Sequence, residues 1–197
     1  MPPPPLALRA PFDVAAATLL RTGDRVLLEG TIFTARDAAH ERLARLLDAG
    51  QPLPVDLRGH TIYYCGPTPP RPGRPIGSAG PTTASRMDAH TPTLLAYGIR
   101  GMIGKGRRSP AVRAAILRHQ AIYFGAVEGT AALLGERVRE AEVVAFPELG
   151  AEAIYRFTVE EFPLVVINDI AGGDLYDEGR ARYDRTAPGS GPPKAAP

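Results

Sequence analysis

The sequence predicts a mixed α/β domain, and two features of the chain point to it. Short runs of β-branched and aromatic residues alternate with helical patterns from residue 25 to residue 146. The last strand-like runs, residues 154–159 and 164–170, follow each other with no helical pattern between them. Because parallel strands need a long connection, usually a helix, this ending predicts a mixed sheet rather than a purely parallel one.

The individual elements follow from local patterns. The run RVLLEGTIFT at residues 25–34 predicts a strand with a bend at Gly30, and an apolar face closed by Gly50 predicts a helix over residues 36–48. A serine-proline pair at 109–110 is typical of a helix start. The remaining predicted elements are a strand at 61–65, a helix at 84–98 that Pro92 can break, a buried run at 101–104, a helix at 110–120, a strand at 122–127, a helix at 129–138 and a strand at 142–146.

Three segments are predicted to lack regular structure. Residues 1–11 carry four consecutive prolines, and residues 186–197 contain almost nothing to bury. Residues 67–81 hold six prolines, which predicts a long internal loop. The predicted domain therefore covers residues 12–185, between a flexible N-terminal segment and a disordered C-terminal tail.

Composition excludes several classes of protein. The 23 Lys and Arg against 21 Asp and Glu give a formal charge of +2, which argues against a general nucleic-acid binder. No run approaches the roughly 18 apolar residues of a membrane-spanning helix, and the N-terminus does not resemble a secretory signal. The single cysteine, Cys65, excludes an internal disulfide and a metal site built from cysteines of this chain alone. We therefore expect a cytoplasmic protein with no membrane or nucleic-acid partner, in which Cys65 is an inert buried thiol.

The first candidate site is the segment GTIFTARDAAH, residues 30–40. A strand ends and a helix begins here, and free N–H groups at a helix start attract anions. Arg36 would add a forked donor for a carboxylate, and His40 lies on the same helical face. The alternative is that Asp37 caps the helix and Arg36 is a solvated surface residue.

The second candidate site is GPTTASRMD, residues 80–88. If a helix begins near Thr83, Arg86 lies one turn further on, and its guanidinium can share a site with the Thr82 hydroxyl. The alternative is a threonine N-cap followed by an ordinary helical arginine.

The third candidate site is GMIGKGRRS, residues 101–109, in which Lys105 stands between Gly104 and Gly106. The spacing differs from that of a phosphate-binding P-loop, so an ATP site is not supported. Two glycines beside a lysine favour close approach of the backbone to a small anion. The alternative is a strand-to-helix turn with basic residues on its surface.

Together, these motifs resemble the β subunit, or C-terminal domain, of class I iron–sulfur fumarate hydratases and the related L-tartrate dehydratases. The resemblance covers about residues 12–180 and rests on TARDAAH, GPTT-x-x-R and GKG, with YYCGPTP and FPELGAEAIYRFTVEEFPLVVINDI in the same order. It implies a swivelling β/β/α domain that closes over a larger domain, and the larger domain supplies three cysteines to a 4Fe–4S cluster. This chain has one cysteine, so we expect it to act with a cysteine-bearing α subunit in a hetero-oligomer, and we expect no metal ligand in the chain itself.

The resemblance also implies residue roles. Thr82 matches the threonine proposed as catalytic base, and Arg36, Arg86 and Lys105 match ligands of the substrate carboxylates. Residues expected to support them are Asp37, His40, Thr83, Gly104 and Gly106. The proline-rich loop at residues 67–79 and Cys65 depart from the family pattern and receive no role, and Glu148 and Glu152 are predicted to lie in a solvated loop.

The residues are consistent with a dicarboxylate substrate, because two carboxylates need two anion-binding groups and the motifs supply three cations. Arg86 and Lys105 could stabilise Thr82 as an alkoxide. The expected reaction is the reversible hydration of fumarate to L-malate. Dehydration of L-tartrate and a non-catalytic carboxylate-binding or regulatory module are the alternatives.

Overall fold

The computed structural model of the chain describes residues 3–127 and 129–184. The strands in these ranges are β1 (Leu6–Ala10), β2 (Arg25–Thr34), β3 (Thr61–Tyr63), β4 (Gly101–Gly104), β5 (Ile122–Gly125), β6 (Val138–Ala145) and β7 (Ile154–Asn168). The α-helices are α1 (Val14–Thr18), α2 (Asp37–Asp48), α3 (Thr91–Tyr97), α4 (Pro110–His119), α5 (Ala131–Glu136) and α6 (Leu175–Tyr183). Short 3₁₀ helices cover Ala84–Met87 and Pro147–Glu152.

The strands form one mixed sheet that closes on itself. β2, β3, β4 and β5 are successive parallel neighbours. The long β7 is antiparallel to both β5 and β2, and it thereby joins the two ends of this series. β1 adds to β2 in parallel, and β6 adds to β7 in the antiparallel sense. The predicted α/β fold with a mixed sheet is confirmed.

Two apolar clusters lie on opposite faces of this closed sheet, because side chains alternate along each strand. On β5, Phe124 belongs to the inner cluster, to which β1, β2, β3, β4 and β7 also contribute. Its neighbour Tyr123 belongs to the outer cluster, which α2, α3 and α4 cover with residues such as Leu43, Leu94 and Ile116. Helices α2, α3 and α4 therefore pack on the outside of the ring, whereas Ala17 of α1 and Leu134 of α5 belong to the inner cluster.

The N-terminal boundary predicted from the prolines is wrong. Residues 6–10, predicted as flexible, form β1, and Leu8 and Ala10 of this strand are buried. Gly30 shows how closely β1 approaches β2, since a Cβ at this position would lie 2.2 Å from the Ala10 carbonyl oxygen. The strand was missed because five residues between prolines carry too weak a pattern to predict one. The predicted tail at residues 186–197 lies outside the described residues.

Further along the chain, several predicted elements differ from the structure, among them the strand predicted at 142–146, which is β6 and begins at Val138. The helix predicted at residues 84–98 is divided into the 3₁₀ helix and α3, with the break just before Pro92. The two final runs belong to one strand, β7, with an irregular register near residues 160–162. α1 and α6 were not predicted, whereas residues 67–81 contain no helix or strand, as expected. No helix among the described residues has the length and apolar character needed to cross a membrane.

Candidate functional site

The residues singled out from the sequence gather at one edge of the sheet. Since β2, β3 and β4 are parallel neighbours, their carboxyl ends lie together. Arg36 follows the end of β2, and Lys105 follows the end of β4. Thr82 follows the long loop and lies at the same edge. Its N–H donates to the carbonyl oxygen of Tyr64, just after β3, at 2.6 Å. All three motifs therefore meet at this edge.

The second and third motifs are joined by backbone hydrogen bonds. The N–H of Lys105 donates to the Thr82 carbonyl oxygen at 3.2 Å, and the N–H of Ala84 donates to the Lys105 carbonyl oxygen at 2.8 Å. Thr83 and Lys105 form a parallel bridge between these bonds. The main chain of Thr82 is thus held on both sides, by Tyr64 and by Lys105.

Glycine is required on both sides of Lys105 for different reasons. A Cβ at Gly104 would lie 2.7 Å from Cδ2 of Tyr64 and 3.2 Å from Cβ of Ala84. Gly106 has a φ of +84°, in the left-handed region that favours glycine. The two glycines therefore let the lysine loop pack closely against the segment that carries Thr82.

Arg36 and Arg86 approach each other through Asp37. Nε of Arg86 donates to Oδ1 of Asp37 at 2.8 Å, and Nη2 of Arg36 lies 3.7 Å from Oδ2 of the same carboxylate. Arg36 occupies the N-cap position of α2 in an extended conformation, and Asp37 is the first residue of the helix. The alternative in which Asp37 caps the helix is therefore wrong, and the Arg36 side chain is only 24% exposed.

The threonine-capping alternative for the second motif also fails. Thr83 occupies the N-cap position of the 3₁₀ helix but makes no capping hydrogen bond with its side chain. Instead, Thr83 and Lys105 line an open cleft of about 730 Å³, together with Gly106, Gly125 and Tyr176. The lining of this cleft includes Lys105 but not Arg36, Thr82 or Arg86, so the cleft lies beside the three motifs rather than between them.

Glu152 was not predicted to take part in the site. It is the last residue of the 3₁₀ helix Pro147–Glu152, and its side chain contacts the first turn of α2. Its Oε2 accepts a hydrogen bond from the N–H of Ala38 at 3.0 Å, and its Oε1 lies 3.6 Å from Nη2 of Arg36. The N-terminal N–H group of Ala38, expected to attract a ligand anion, is therefore occupied by a carboxylate of the chain itself. The nearby Glu148 pairs with Arg42 of α2. The prediction of a solvated loop is wrong for Glu152, and only the acidic character of PELGAE could have hinted at this contact.

His40 supports the site through the main chain of Arg36. Its ring is buried, packs edge-on against the Tyr64 ring at 5.1 Å, and donates from Nδ1 to the Arg36 carbonyl oxygen at 3.0 Å. The carbonyl can only accept, so Nδ1 carries the proton. Burial is the main cause that lowers the pKa of His40 to about 3. The ring is therefore neutral at pH 7.

A second group that was missed is the buried ion pair of Arg108 and Asp88. The Arg108 side chain is fully buried, and its Nε donates to Oδ1 of Asp88 at 2.8 Å. Its Nη1 donates to the Tyr64 hydroxyl at 2.9 Å and its Nη2 to Oγ1 of Thr91 at 2.7 Å. The pair ties the Lys105 loop to the segment that carries Arg86. Both residues lie within the motifs, but no sequence pattern distinguishes the buried Arg108 from its exposed neighbour Arg107.

The donor set of this chain does not fit an iron–sulfur cluster. Within residues 3–127 and 129–184, no group of three or more His, Cys, Asp or Glu side chains is placed to hold a metal ion. Cys65 is buried, as predicted, and burial raises the pKa of its thiol to about 12 although Arg36 opposes this shift. A 4Fe–4S cluster needs several thiolate ligands, so the described residues cannot hold one by themselves.

Comparison with known proteins identifies the family. Residues 7–179 match the family model described as Fumarase C-terminus. The "Fumarate hydratase class I, anaerobic" of Escherichia coli is 43% identical over 156 residues, 78% of this chain and 28% of that protein. "Fumarate hydratase 2" of Leishmania major is 38% identical over 175 residues, 87% of this chain and 31% of that protein.

A shorter relative is matched over most of its own length. The "Putative L(+)-tartrate dehydratase subunit beta" of Methanocaldococcus jannaschii is 35% identical over 165 residues, 81% of this chain and 85% of that protein. By contrast, the chain spans less than a third of the two fumarate hydratases. Because the family model covers nearly all of the described residues, this chain belongs to the family of fumarase C-terminal domains.

Proposed function

We propose that this chain is the β subunit of a two-subunit iron–sulfur hydro-lyase that interconverts fumarate and L-malate. The observation that carries the proposal is the meeting of Arg36, Arg86 and Lys105 with Thr82 at one edge of the sheet. These residues lie on segments that are joined by hydrogen bonds and ion pairs. The family and the names of the fumarate hydratases among its relatives support the same reaction.

In this proposal, Arg36 and Arg86 bind substrate carboxylates. A guanidinium group presents several N–H donors in a plane and can bind a carboxylate through two of them. Arg36 is largely buried whereas Arg86 is half exposed, with 24% and 51% of the side chains accessible. Arg36 therefore supplies the fixed contact, and Arg86 can adjust to the second carboxylate when the substrate arrives.

Thr82 is the proposed proton acceptor. A threonine hydroxyl is a weak acid, so it can act as a base only where nearby cations stabilise its alkoxide. Arg86 is four residues away along the chain, and Lys105 is bonded to the main chain of Thr82. The hydrogen bonds to Tyr64 and Lys105 fix the backbone of Thr82 and thereby restrict where its side chain can lie.

The partner in this proposal is an α subunit that holds the 4Fe–4S cluster, because the described residues of this chain lack the ligands for one. The cluster would supply Lewis-acid chemistry at the substrate hydroxyl. The β subunit binds and orients the carboxylates and moves the proton. We therefore expect the isolated chain to fold but to show no hydratase activity alone.

The proposal is tested by steady-state kinetics of the chain co-expressed with its α subunit. Thr82→Ala should lower kcat by roughly 10²–10⁴ and leave KM nearly unchanged, since the hydroxyl acts on the proton in the transition state. Arg36→Ala should raise KM by the equivalent of about 2–4 kcal/mol, and Arg36→Lys should restore only part of this loss. Ser85→Ala, an exposed change in the neighbouring 3₁₀ helix, is the matched control and should leave both constants unchanged.

Two results would contradict the proposal. If the assembled enzyme with an intact cluster hydrates no small dicarboxylate, the chain is better described as a non-catalytic carboxylate-binding or regulatory module. If Thr82→Ala keeps a normal kcat, the base is another group, and Thr82 has only a structural role.

Dehydration of L-tartrate is the second candidate. It is favoured by the Methanocaldococcus jannaschii relative, which is matched over 85% of its length and is named as a tartrate dehydratase subunit beta. Turnover of malate and of tartrate by the same assembled enzyme distinguishes the two reactions. A large preference for tartrate would replace the first candidate with the second.

A further inference from the structure

The carboxylate of Glu152 lies between Arg36 and the first turn of α2. The two oxygens of this carboxylate have different partners, because Oε2 accepts from the N–H of Ala38 at 3.0 Å and Oε1 lies 3.6 Å from Nη2 of Arg36. The backbone bond anchors the carboxylate independently of Arg36. A fixed negative charge therefore stands beside one end of the guanidinium group.

The chain around Glu152 is itself held rigidly at the end of β2. The hydroxyl of Thr34, which is buried, donates to the Ala153 carbonyl oxygen at 3.4 Å and accepts from the N–H of Tyr155 at 3.1 Å. On the other side, the Ala151 carbonyl oxygen would lie 2.8 Å from a Cβ at Gly66. Both close contacts restrict the position from which Glu152 reaches α2.

The guanidinium of Arg36 has donors that this contact does not use. Both carboxylates near it, Asp37 and Glu152, face Nη2. Its Nε is buried and has no hydrogen-bond partner among the described residues. Gly66 leaves room for the rest of the side chain, since a Cβ there would lie 3.2 Å from Nη1 and 3.3 Å from Cδ. A buried donor without a partner is costly unless a ligand satisfies it.

We propose that Glu152 is a positioning residue for Arg36. It holds Nη2 on one side, so that the guanidinium group keeps one orientation in which it can bind a substrate carboxylate. This inference rests on the proposed function, in which Arg36 binds the substrate. It also explains why the start of α2 does not bind the ligand itself, because the N–H of Ala38 is already occupied.

The test compares Glu152→Gln with Glu148→Gln in the assembled enzyme. The control removes a carboxylate from the same 3₁₀ helix, where Glu148 pairs with Arg42 instead of Arg36. Glu152→Gln should raise KM for the dicarboxylate on the order of tenfold, with kcat changed much less, and Glu148→Gln should leave KM unchanged. Glu152→Asp keeps the charge and should restore part of the affinity.

A double-mutant cycle shows whether Glu152 acts through Arg36. In an Arg36→Ala background, Glu152→Gln should change KM by less than about twofold, because the group it positions is absent. A tenfold effect that persists in this background would overturn the inference. So would a KM that falls in Glu152→Gln, since Glu152 would then be competing with the substrate for Arg36.

The two hypotheses fail in different ways. A normal KM for Arg36→Ala would refute the proposed function, and the inference with it. A raised KM for Arg36→Ala beside a normal KM for Glu152→Gln would refute the inference alone. In the free chain labelled with ¹⁵N-arginine, Glu152→Gln should shift the Nε–H resonance of Arg36, assigned from its loss in Arg36→Lys, whereas Glu148→Gln should not. An unmoved resonance would also count against the inference.

Discussion

Replacing Arg108 by methionine tests how the site is held together. Arg108 has a fully buried side chain and donates to Asp88, Tyr64 and Thr91 over distances of 2.7–2.9 Å. Arg108→Met keeps an apolar stem of similar length but leaves a buried carboxylate without its cation. Breaking a buried pair by removing one partner costs about 3–5 kcal/mol.

The remaining contacts of Asp88 put the expected loss of stability near the lower end of this range. Asp88 is 13% exposed and keeps its hydrogen bond from the N–H of Ser109 at 2.7 Å, so its carboxylate remains partly solvated and hydrogen-bonded without Arg108. We expect the free energy of unfolding to fall by about 3 kcal/mol, which corresponds to a Tm lowered by about 6–12 °C for a chain of this size. Arg108→Lys should lose less because it keeps the charge, although a compact ammonium group cannot reproduce the planar fork that reaches Asp88, Tyr64 and Thr91.

The assay is urea denaturation of the purified full-length chain, followed by circular dichroism. The control is Arg107→Met, which changes the adjacent residue of the same loop. Arg107 is 43% exposed and pairs with Asp177 at 2.8 Å, and such surface pairs contribute only about 0–1 kcal/mol. A cost for Arg108→Met below about 1 kcal/mol, or equal to that of Arg107→Met, would refute the reasoning.

Two further predictions concern packing and pH. Gly104→Ala should lower the free energy of unfolding by about 1–3 kcal/mol because the new Cβ lies 2.7 Å from Cδ2 of Tyr64. The control Gly179→Ala in α6, where a Cβ meets nothing within 4 Å, should raise it by up to about 1 kcal/mol, and equal effects in urea denaturation would contradict the steric argument. Because burial lowers the pKa of His40 from 6.5 to about 3, the unfolded chain binds the proton first as the pH falls. Below pH 6.5, the free energy of unfolding should therefore decrease by up to ~1.4 kcal/mol per pH unit. Thermal melts from pH 7 to pH 5 should show a smaller decrease for His40→Gln. The same slope in both proteins would disprove this assignment.

The fold could be predicted wherever its cause is local. Residues 25–34 and 37–48 form β2 and α2 within a residue of the predicted bounds, because an alternating or helical apolar pattern reports directly on which face is buried. The cap of α4 was equally local, since the Ser109 hydroxyl accepts from the N–H of Val112. β1 was missed because the prolines at positions 5 and 11 on either side of it are typical of irregular structure, and α1 was missed because its five residues form little more than one helical turn.

The candidate site divides in the same way. Arg36, Thr82, Arg86 and Lys105 could be singled out because each stands in a short motif at the end of a strand or the start of a helix, and the order of the motifs indicated the family. Their proximity in space followed only from the pairing of β2, β3 and β4, which no local pattern determines.

The partners of these residues were decided by the tertiary structure alone. Glu152 reaches the start of α2 from 114 residues away along the chain, and the sheet brings them together only because β7 pairs with β2. In the same way, the sequence shows two adjacent arginines at 107 and 108, and only the tertiary structure buries the second one against Tyr64, Thr91 and Tyr123. A periodic pattern reports which side of a single element is apolar, whereas the environment of a charge depends on every element that surrounds it. The sequence by itself therefore determined the motifs, and the tertiary structure determined which charges hold them in place.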